Sequence, residues 1–502
     1  MLKRLAVNTG SNVAVLAVSI VITFVMTPVL VRNLGQYNYG LWEMLAALIG
    51  YAGILDLGLR PTISRFTSKY HAEGDTASLQ RLFCTSLVFL TVSGALVGGT
   101  FIFWAIAFPH TLAPEGASIK PYVVVLFIVG VQMLALFPGL VAESILEGLQ
   151  KYYLKNMVSV VKMTIGSTLI LTFITEQNGL ILLAAVSSAG LWVRNMIFFL
   201  LIMHSRQGRF RFRPQDISFQ QLRELLRFGV KTLIQGVSYR IETATDSLVI
   251  GFILGPAMVP LYSIPANLVQ YLRTLSSTMT HAFMPLFSNL SAQGQDEKIR
   301  RVYVMASKFM VGLILPMATG VVLLGPAFIE IWIGPEIGEH SQMIVLLLVL
   351  FLTLPFLNPF ASRYLTAINR HGIFAKLAPI SAIINLMLTI FLVHRMGIVG
   401  AALASLFAVL AFFPIYLVYT VRHLGIGVAD YLRESILPAL LPTLVMGVAV
   451  GFYRFEVALS SYFDLFVGIV IGAAVYMPLI WALGLSGVER AYILGRMAAR
   501  TR

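Results

Sequence analysis

Long apolar runs separated by short polar segments fill the chain. Each run has about 20 residues or more, the length that an α-helix needs to cross the hydrocarbon core of a bilayer. We therefore predict about fourteen membrane-spanning helices, numbered here as spans 1 to 14. They cover residues 8–31, 38–59, 82–108, 120–146, 154–175, 179–203, 228–253, 258–288, 302–325, 341–367, 374–394, 398–420, 434–453 and 462–485.

The composition agrees with an all-α integral membrane protein. Of the 502 residues, 58% are hydrophobic and only 12% are charged, whereas soluble domains average about 25% charged residues. Cys84 is the single cysteine, which excludes an intrachain disulfide and makes a zinc or redox centre improbable. The first apolar run is long enough to span and lacks a small-residue cleavage site, so we expect a retained helix rather than a signal peptide.

The distribution of basic residues predicts the orientation. With both termini in the cytoplasm, the outer loops hold Arg32, Lys120, Arg395 and Arg454. We place five of the 36 Lys and Arg deep within spans, and the remaining 27 lie in the inner loops or at the inner ends of spans. This bias follows the positive-inside rule, so we expect a multi-pass protein of the cytoplasmic (inner) membrane. The rule also accounts for the net charge of +14 without a nucleic-acid partner.

Four segments are predicted from the spans and the loops. They are an N-terminal lobe of six spans (1–205), a cytoplasmic linker (206–227), a C-terminal lobe of six spans (228–423), and spans 13 and 14 with a cytoplasmic tail (424–502). The linker carries Arg206, Arg209, Arg211 and Arg213 and an amphipathic QLRELLRF stretch. These arginines bind anionic lipid headgroups or merely fix the topology.

The two lobes look like an internal repeat. Leu34-Gly35 recurs as Leu254-Gly255, 220 residues later, and ILEGLQKYY at 145–153 resembles YLTAINRHG at 364–372 at an offset of 219. The nearly constant offset predicts two pseudo-symmetric six-helix lobes followed by two extra helices. Membrane repeats of this kind are typical of transporters.

Residues 34–75 resemble a known family. The stretch LGQYNYGLWEMLAALIGYAGILDLGLRPTISRFTSKYHAEGD contains a YG-x-W turn, a helix ending in LDLGL and a basic loop. It is similar to the polysaccharide transport family of the multidrug/oligosaccharidyl-lipid/polysaccharide (MOP) superfamily, which includes the Wzx-type repeat-unit flippases.

The resemblance implies two six-helix lobes around a cavity and alternating access. It also implies export of undecaprenyl-pyrophosphate-linked oligosaccharide to the outer leaflet, for cell-surface polysaccharide such as the O-antigen of lipopolysaccharide. The partners it implies are the lipid-linked oligosaccharide, membrane lipids, a polysaccharide polymerase and glycosyltransferases.

Span 7 carries three charges in YRIETATDSLVIGFILG, namely Arg240, Glu242 and Asp246. Charges at this depth are costly and normally face a bundle interior or water. At 100° per residue one stripe collects Lys231, Gln235, Ser238, Glu242, Thr245 and Asp246, with Arg240 nearly opposite. Glu242 and Asp246 could bind Na⁺ or exchange a proton, or could form structural ion pairs with Arg240 or Arg273.

Some relatives have a cation site formed by helices 7, 11 and 12, so the resemblance adds candidate ligands. Span 11 offers Asn385 and Thr389, and span 12 offers Ser405. Span 11 lacks a carboxylate, which would weaken a Na⁺ site at Asp246. Na⁺ coupling, proton coupling and drive by the membrane potential all stay open, and no cofactor is expected.

Five basic residues are candidates for the pyrophosphate and the cavity. Arg273 in span 8 comes first because a guanidinium matches phosphate oxygens and keeps its charge. The others are Arg240, Arg60, Arg194 and Lys162. The alternatives are a snorkelling Arg273, an Arg60 that only sets topology or pairs with Asp56 at i, i+4, and pairing of Lys162, Arg194 or Lys151 with Glu143 and Glu147.

Three amides are candidates for contact with the glycan: Asn8 and Asn12 in span 1 and Gln270 in span 8. Amides donate to and accept from sugar hydroxyls, but the same groups can join neighbouring helices. We leave these two roles open.

The chain shows no catalytic pattern. HExxH, G-x-S-x-G and P-loop motifs are absent from the sequence, so we expect a transporter and not an enzyme. Two rival functions remain. One is an ion-coupled multidrug or metabolite exporter of the same superfamily, and the other is a non-transporting membrane scaffold for glycan synthesis.

Overall fold

The computed structural model describes residues 2–205, 210–281, 283–487 and 489–491. Every regular element in these residues is helical. The α-helices are α1 (Leu2–Ala52), α2 (Leu59–Glu73), α3 (Thr76–Ala107), α4 (Lys120–Gly148), α5 (Tyr152–Phe173), α6 (Gly179–Met203), α7 (Phe219–Leu254), α8 (Val259–His281), α9 (Phe283–Ala292), α10 (Asp296–Trp332), α11 (Pro335–Phe356), α12 (Ala361–Ala367), α13 (Gly372–Met396), α14 (Ile398–His423), α15 (Val428–Tyr431), α16 (Leu437–Glu456) and α17 (Tyr462–Leu479).

The predicted spans correspond to helices of this set. Eleven helices of the described chain are long and apolar enough to cross a membrane, with α1 counted once. Span 1 and most of span 2 lie in α1, which breaks at Gly35 with a φ of 70° and a ψ of 169°. The predicted end of span 2 runs past Ala52, through the 3-10 turn Gly53–Asp56, to the start of α2. Spans 7 and 8 correspond to α7 and α8, which are not among the eleven helices that are long and apolar enough to cross a membrane. The prediction of an all-α multi-pass membrane protein is confirmed.

The chain forms two compact units, Met1–Arg240 and Ile241–Arg502. The division lies inside α7, and the four predicted segments stay a prediction. In the first unit α3 and α4 pack with their backbones close together. A Cβ on Gly98 would lie 2.5 Å from the carbonyl oxygen of Gly130, so this approach requires glycine. Small residues commonly allow such close packing between membrane helices.

The second unit contains an aromatic core and an apolar cavity. Tyr303 is fully buried, packs against Phe287 and Tyr364, and donates its hydroxyl to Asn358 Oδ1. Further along α10, a cavity of about 1020 Å³ lies between α10, α16 and α17. Among its described lining residues Lys308 is the one charged side chain, and Tyr476 and Trp481 are otherwise the only ones with polar side-chain atoms.

Lys308 forms an ion pair with the segment that follows α17. Its Nζ lies 2.6 Å from Glu489 Oε2, and the Ser486 amide donates to the same oxygen at 2.7 Å. Burial opposes ionisation of Glu489, but the bonds from Lys308 and Ser486 outweigh it and hold the pKa of this carboxyl below its usual 4.5. The ionised pair therefore fastens the C-terminal segment to α10.

We expect Glu489→Gln to lower the free energy of unfolding by about 1–3 kcal/mol at pH 7, since it removes a charge-assisted hydrogen bond. A lowered pKa gives stability that is present above 4.5 and is lost as the pH falls through the folded-state value. The difference in Tm between wild type and variant should therefore shrink below pH 4.5. The control is Glu434→Gln, which changes an exposed carboxylate. A Tm difference between wild type and Glu489→Gln that persists below pH 4.5 would contradict the ionised pair with Lys308.

Candidate functional site

Asp246 is the centre of a polar site in the second unit. Its side chain is buried, with 7% of the residue exposed. Tyr262 Oη on α8 donates to Oδ2 at 2.5 Å. Thr389 Oγ1 on α13 donates to Oδ1, and Ser405 Oγ on α14 donates to Oδ2, each at 3.3 Å. Three hydroxyl groups from three other helices thus surround one carboxylate.

Asn385 completes this arrangement, one helical turn before Thr389. Its Nδ2 donates to Ser405 Oγ at 3.1 Å. Its Oδ1 is buried and has no hydrogen-bond partner in the structure. A buried acceptor without a donor is costly, and a small hard cation would satisfy it together with the carboxylate. We call Asp246, Tyr262, Asn385, Thr389 and Ser405 the acidic site.

The donor set of the acidic site fits an alkali cation or a proton better than a transition metal. All of its potential ligand atoms are oxygens, and it has one carboxylate. The described residues contain no group of three or more His, Cys, Asp or Glu side chains that could hold a metal ion. Zinc and copper prefer imidazole and thiolate ligands.

The rest of the polar stripe on α7 is only partly described. Ser238 and Thr245 are buried, whereas the side chains of Lys231 and Gln235 lie outside the described residues. Glu242 is half-buried and is close enough to Arg273 and Tyr416 to interact with both electrostatically. Arg273 therefore has a carboxylate neighbour, in line with the alternative that Glu242 and Arg273 form a structural ion pair. The contact of Arg273 with pyrophosphate stays a proposal.

Arg240 packs against α1. Its backbone carbonyl accepts a hydrogen bond from Tyr51 Oη at 3.2 Å. Its guanidinium lies so close to Gly50 that a Cβ there would be 2.9 Å from Nη1. The side chain is exposed, which leaves its charge accessible.

Six charged residues gather in the first unit, and we call them the basic cluster. Its members come from α2, α4, α5 and α6 and are Arg60, Glu143, Glu147, Lys155, Lys162 and Arg194. The four cations and two carboxylates give a net charge of +2, which the carboxylate of Asp56 next to Arg60 reduces to +1. Such an excess among membrane helices needs a compensating anion or water.

Glu143 is the hub of the basic cluster. Arg60 Nη2 lies 2.7 Å from Glu143 Oε1, and Lys155 Nζ lies 3.6 Å from the same atom. Arg194 Nη2 lies 3.6 Å from Glu143 Oε2. Glu147 supports the hub, at 3.0 Å from Arg60 and 2.7 Å from Lys155.

Asp56 and Arg60 do not form the expected close side-chain ion pair, although they remain near enough to interact electrostatically. Asp56 ends a 3-10 turn, and Leu57 and Gly58 follow with positive φ values of 54° and 71°. This break removes the helical i, i+4 relation. Asp56 instead accepts the Gly58 amide at 2.7 Å, and Arg60 reaches across to α4.

Lys162 differs from the other cations of the cluster. It is half-buried beside Arg194, and its side chain lies against Gly190. Within the described chain it has no ion pair and no hydrogen bond. Lys162 is therefore the cation of the cluster whose charge is least neutralised by protein.

The candidate glycan contacts are partly used inside the protein. Asn8 Nδ2 donates to the Gln150 carbonyl at 3.1 Å, and Asn12 Oδ1 accepts from Asn156 Nδ2 at 2.6 Å. Both bonds join α1 to residues at the start of α5. Gln270 is half-buried on α8.

We expect Glu143→Gln to destabilise the first unit by about 2–4 kcal/mol, because it leaves Arg194 without its carboxylate and Arg60 and Lys155 with Glu147 alone. Denaturant unfolding of the purified protein measures this. The matched control is Glu297→Gln on α10, whose 4.0 Å pair with Arg301 is about 80% exposed and should contribute less than about 1 kcal/mol. Equal effects of the two variants would show that the hub has no special role.

Two residues of these sites, Lys155 and Tyr262, were not predicted from the sequence. Lys155 was not predicted because a lysine at the start of a span fits positive-inside topology equally well. Tyr262 was not predicted because a tyrosine in an apolar helix carries no spacing signal. The cluster of charged residues near the ends of spans 4 and 5 was the available hint for Lys155.

Comparison with known proteins identifies the family. The family described as polysaccharide biosynthesis protein matches residues 8–291. A protein of Haloferax volcanii named as the low-salt glycan biosynthesis flippase Agl15 is 23% identical over 466 residues, covering 89% of each chain. A protein of Shigella flexneri named as an O-antigen transporter is 22% identical over 378 residues, covering 75% of this chain and 88% of the relative.

Solved structures share the fold. The lipid II flippase MurJ in an inward closed conformation aligns with a TM-score of 0.65 at 17% identity, covering 93% of this chain and 98% of MurJ. An inward-facing multidrug resistance MATE transporter of the MOP superfamily aligns with a TM-score of 0.65 at 14% identity, covering 81% of this chain and 94% of that one. The chain therefore belongs to the polysaccharide biosynthesis protein family and has the fold of MOP-superfamily transporters.

Proposed function

We propose that the protein is a flippase that moves undecaprenyl-pyrophosphate-linked oligosaccharide from the inner to the outer leaflet of the cytoplasmic membrane. The observation that carries this proposal is the net positive basic cluster among the membrane helices of the first unit. An anionic headgroup is the substrate chemistry that such a cluster complements. The names of the relatives, a glycan biosynthesis flippase and an O-antigen transporter, support the same substrate class.

In this proposal each part of the substrate has its own contacts. The pyrophosphate binds Lys162 and Arg194, with Arg60 and Arg240 as further cations of the first unit, and Arg273 is a separate candidate cation of the second unit. Sugar hydroxyls contact Asn8, Asn12 and Gln270. The polyprenyl tail lies in lipid and in the apolar cavity between α10, α16 and α17, whose lining suits an isoprenoid chain.

The acidic site supplies the coupling in this proposal. A Na⁺ ion or a proton binds at Asp246, with Glu242 nearby on the same helix. Asn385 Oδ1, Thr389 and Ser405 provide the neutral oxygens. Alternating access then requires the ion and the substrate to bind the two states with different affinities. A polysaccharide polymerase and glycosyltransferases are the proposed protein partners.

The experiment is transbilayer movement of a fluorescent undecaprenyl-pyrophosphate oligosaccharide in proteoliposomes. We expect the wild type to expose the lipid in the opposite leaflet, with a rate that responds to a Na⁺ or pH gradient. Empty liposomes give the background. Extrusion of small organic cations without lipid movement would favour the exporter function, and neither activity would favour a scaffold.

A further inference from the structure

Residues 210–228 are held tightly against α2 and α3, and we call this segment the collar. Phe210 is buried against Phe83, with ring centroids 5.7 Å apart. The amides of Arg211, Arg213 and Ser218 donate to side chains of α3. Their acceptors are Gln80 Oε1 at 3.2 Å, Cys84 Sγ at 3.4 Å and Thr85 Oγ1 at 3.0 Å.

The start of α7 continues this attachment to α2. Gln221 is buried and donates to Tyr70 Oη at 3.4 Å, and Leu225 is fully buried. The Arg65 guanidinium lies 4.3 Å from the ring centroid of Phe228. The linker between α6 and α7 is therefore a fixed surface of the first unit over these residues.

The outer side of the collar combines exposed apolar and cationic side chains. Phe212 is 52% exposed, Ile217 is 43% exposed and Phe219 is 81% exposed. Four arginines are also exposed and form no ion pair within the described chain; they are Arg211, Arg213, Arg223 and Arg227. The spacing of Phe219, Arg223 and Arg227 places them on one stripe of α7, opposite the buried residues.

The collar also lies at a membrane boundary. It contacts α3 at residues 80–85, within the first three turns of a helix long and apolar enough to span. The hydrocarbon core therefore begins beside the collar. Aromatic and aliphatic side chains next to arginines, at the level of the headgroups, are the features of interfacial helices that bind anionic lipid.

We propose that the collar is a binding surface for anionic phospholipid of the leaflet it faces. The four arginines bind phosphate and other headgroup oxygens, while Phe212, Ile217 and Phe219 insert between acyl chains. This inference is independent of the proposed transport substrate, because none of these side chains belongs to the basic cluster or the acidic site.

The test is native mass spectrometry of the full-length protein with added phosphatidylglycerol or phosphatidylcholine. Each arginine near an anionic surface contributes about 1 kcal/mol, or roughly fivefold in affinity. We expect Arg211→Gln/Arg213→Gln to weaken phosphatidylglycerol binding roughly 30-fold and to leave phosphatidylcholine binding unchanged. The matched control, Arg300→Gln/Arg422→Gln, removes two exposed arginines from the second unit and should behave as wild type.

Equal loss of phosphatidylglycerol in both double variants, or equal loss of both lipids in the collar variant, would overturn the proposal. A second measurement uses a fluorophore on Phe219→Cys in a Cys84→Ser background. We expect brominated phosphatidylglycerol to quench this label more strongly than a label at exposed Gln215→Cys. Equal quenching at the two positions would show that Phe219 does not enter the membrane.

Discussion

Replacing Lys162 with methionine should weaken binding of the lipid-linked substrate by roughly 10- to 100-fold, because a hydrogen bond to a charged group contributes about 1.5–3 kcal/mol. The same change should leave the free energy of unfolding unchanged or raise it. Lys162 has no ion pair in the described chain, so its half-buried charge destabilises the folded state. Methionine has a similar length and removes that cost. Function and stability should therefore separate at this position.

The apparent KM for the pyrophosphate lipid in proteoliposomes and the Tm of the purified protein measure the two effects. Lys162→Arg should retain most of the activity, because a guanidinium also binds phosphate. Exposed Lys376 on α13 gives the matched control, and Lys376→Met should change neither quantity. An unchanged KM in Lys162→Met would remove Lys162 from the proposed phosphate site, and a fall in Tm would assign it a structural role.

Arg194 is expected to behave differently. Its guanidinium lies 3.6 Å from Glu143 and donates to Asn195 Oδ1 at 3.1 Å. Arg194→Met would therefore lower both stability and substrate affinity. The contrast with Lys162→Met distinguishes a cation that binds substrate from one that also holds the cluster together.

The second large effect is expected for Asp246→Asn. This variant should abolish the response of lipid movement to an ion gradient. In the acidic site the carboxylate is the one formal negative charge among hydroxyl and amide groups. The amide that replaces the carboxylate still offers an oxygen but has no negative charge. Binding of a cation or a proton at this position requires that charge. We expect substrate-driven lipid movement to persist while a Na⁺ or pH gradient no longer accelerates it.

A binding measurement tests this without transport. A ligand at about 100 times its Kd stabilises the folded state by about 2.7 kcal/mol, so saturating Na⁺ should raise the Tm of the wild type relative to choline. Asp246→Asn should show no such shift, and Thr389→Val should need a higher Na⁺ concentration because it removes one oxygen. The control is exposed Asp430→Asn. A Na⁺ shift that survives in Asp246→Asn would place the ion elsewhere, and a wild-type Tm that responds to pH but not to Na⁺ would identify the proton.

The number and type of helices could be predicted because the bilayer imposes them. Every backbone polar group in hydrocarbon must be bonded within its own helix or sheet, so runs of about 20 apolar residues have one structural solution. The turn at Leu34-Gly35 was also visible, since glycine is the residue that adopts a positive φ without strain. The sequence predicted helices that end at residue 31 and begin at residue 38, whereas in the structure the helices on both sides extend up to Gly35.

Partner choice among charged side chains was decided by tertiary packing. Local spacing suggested an i, i+4 ion pair between Asp56 and Arg60, but the positive φ values at Leu57 and Gly58 interrupt the helix between them. Arg60 pairs instead with residues 83 and 87 positions away. Asp246 meets Thr389 and Ser405 across 143 and 159 positions. Periodicity could place each residue on a helix face, but it carries no information on which faces meet.

The sequence by itself determined that this protein is a multi-pass bundle of helices with charges embedded in its spans, because hydropathy and charge act residue by residue. Only the tertiary structure decided which charges are neutralised and which are not. Among the described residues, it left Lys162 with no ion pair or hydrogen bond beside Arg194 and placed Asn385 Oδ1 with no donor next to Asp246. Those outcomes depend on the rotation and packing of helices far apart in the chain, and they distinguish structural charges from candidate binding groups.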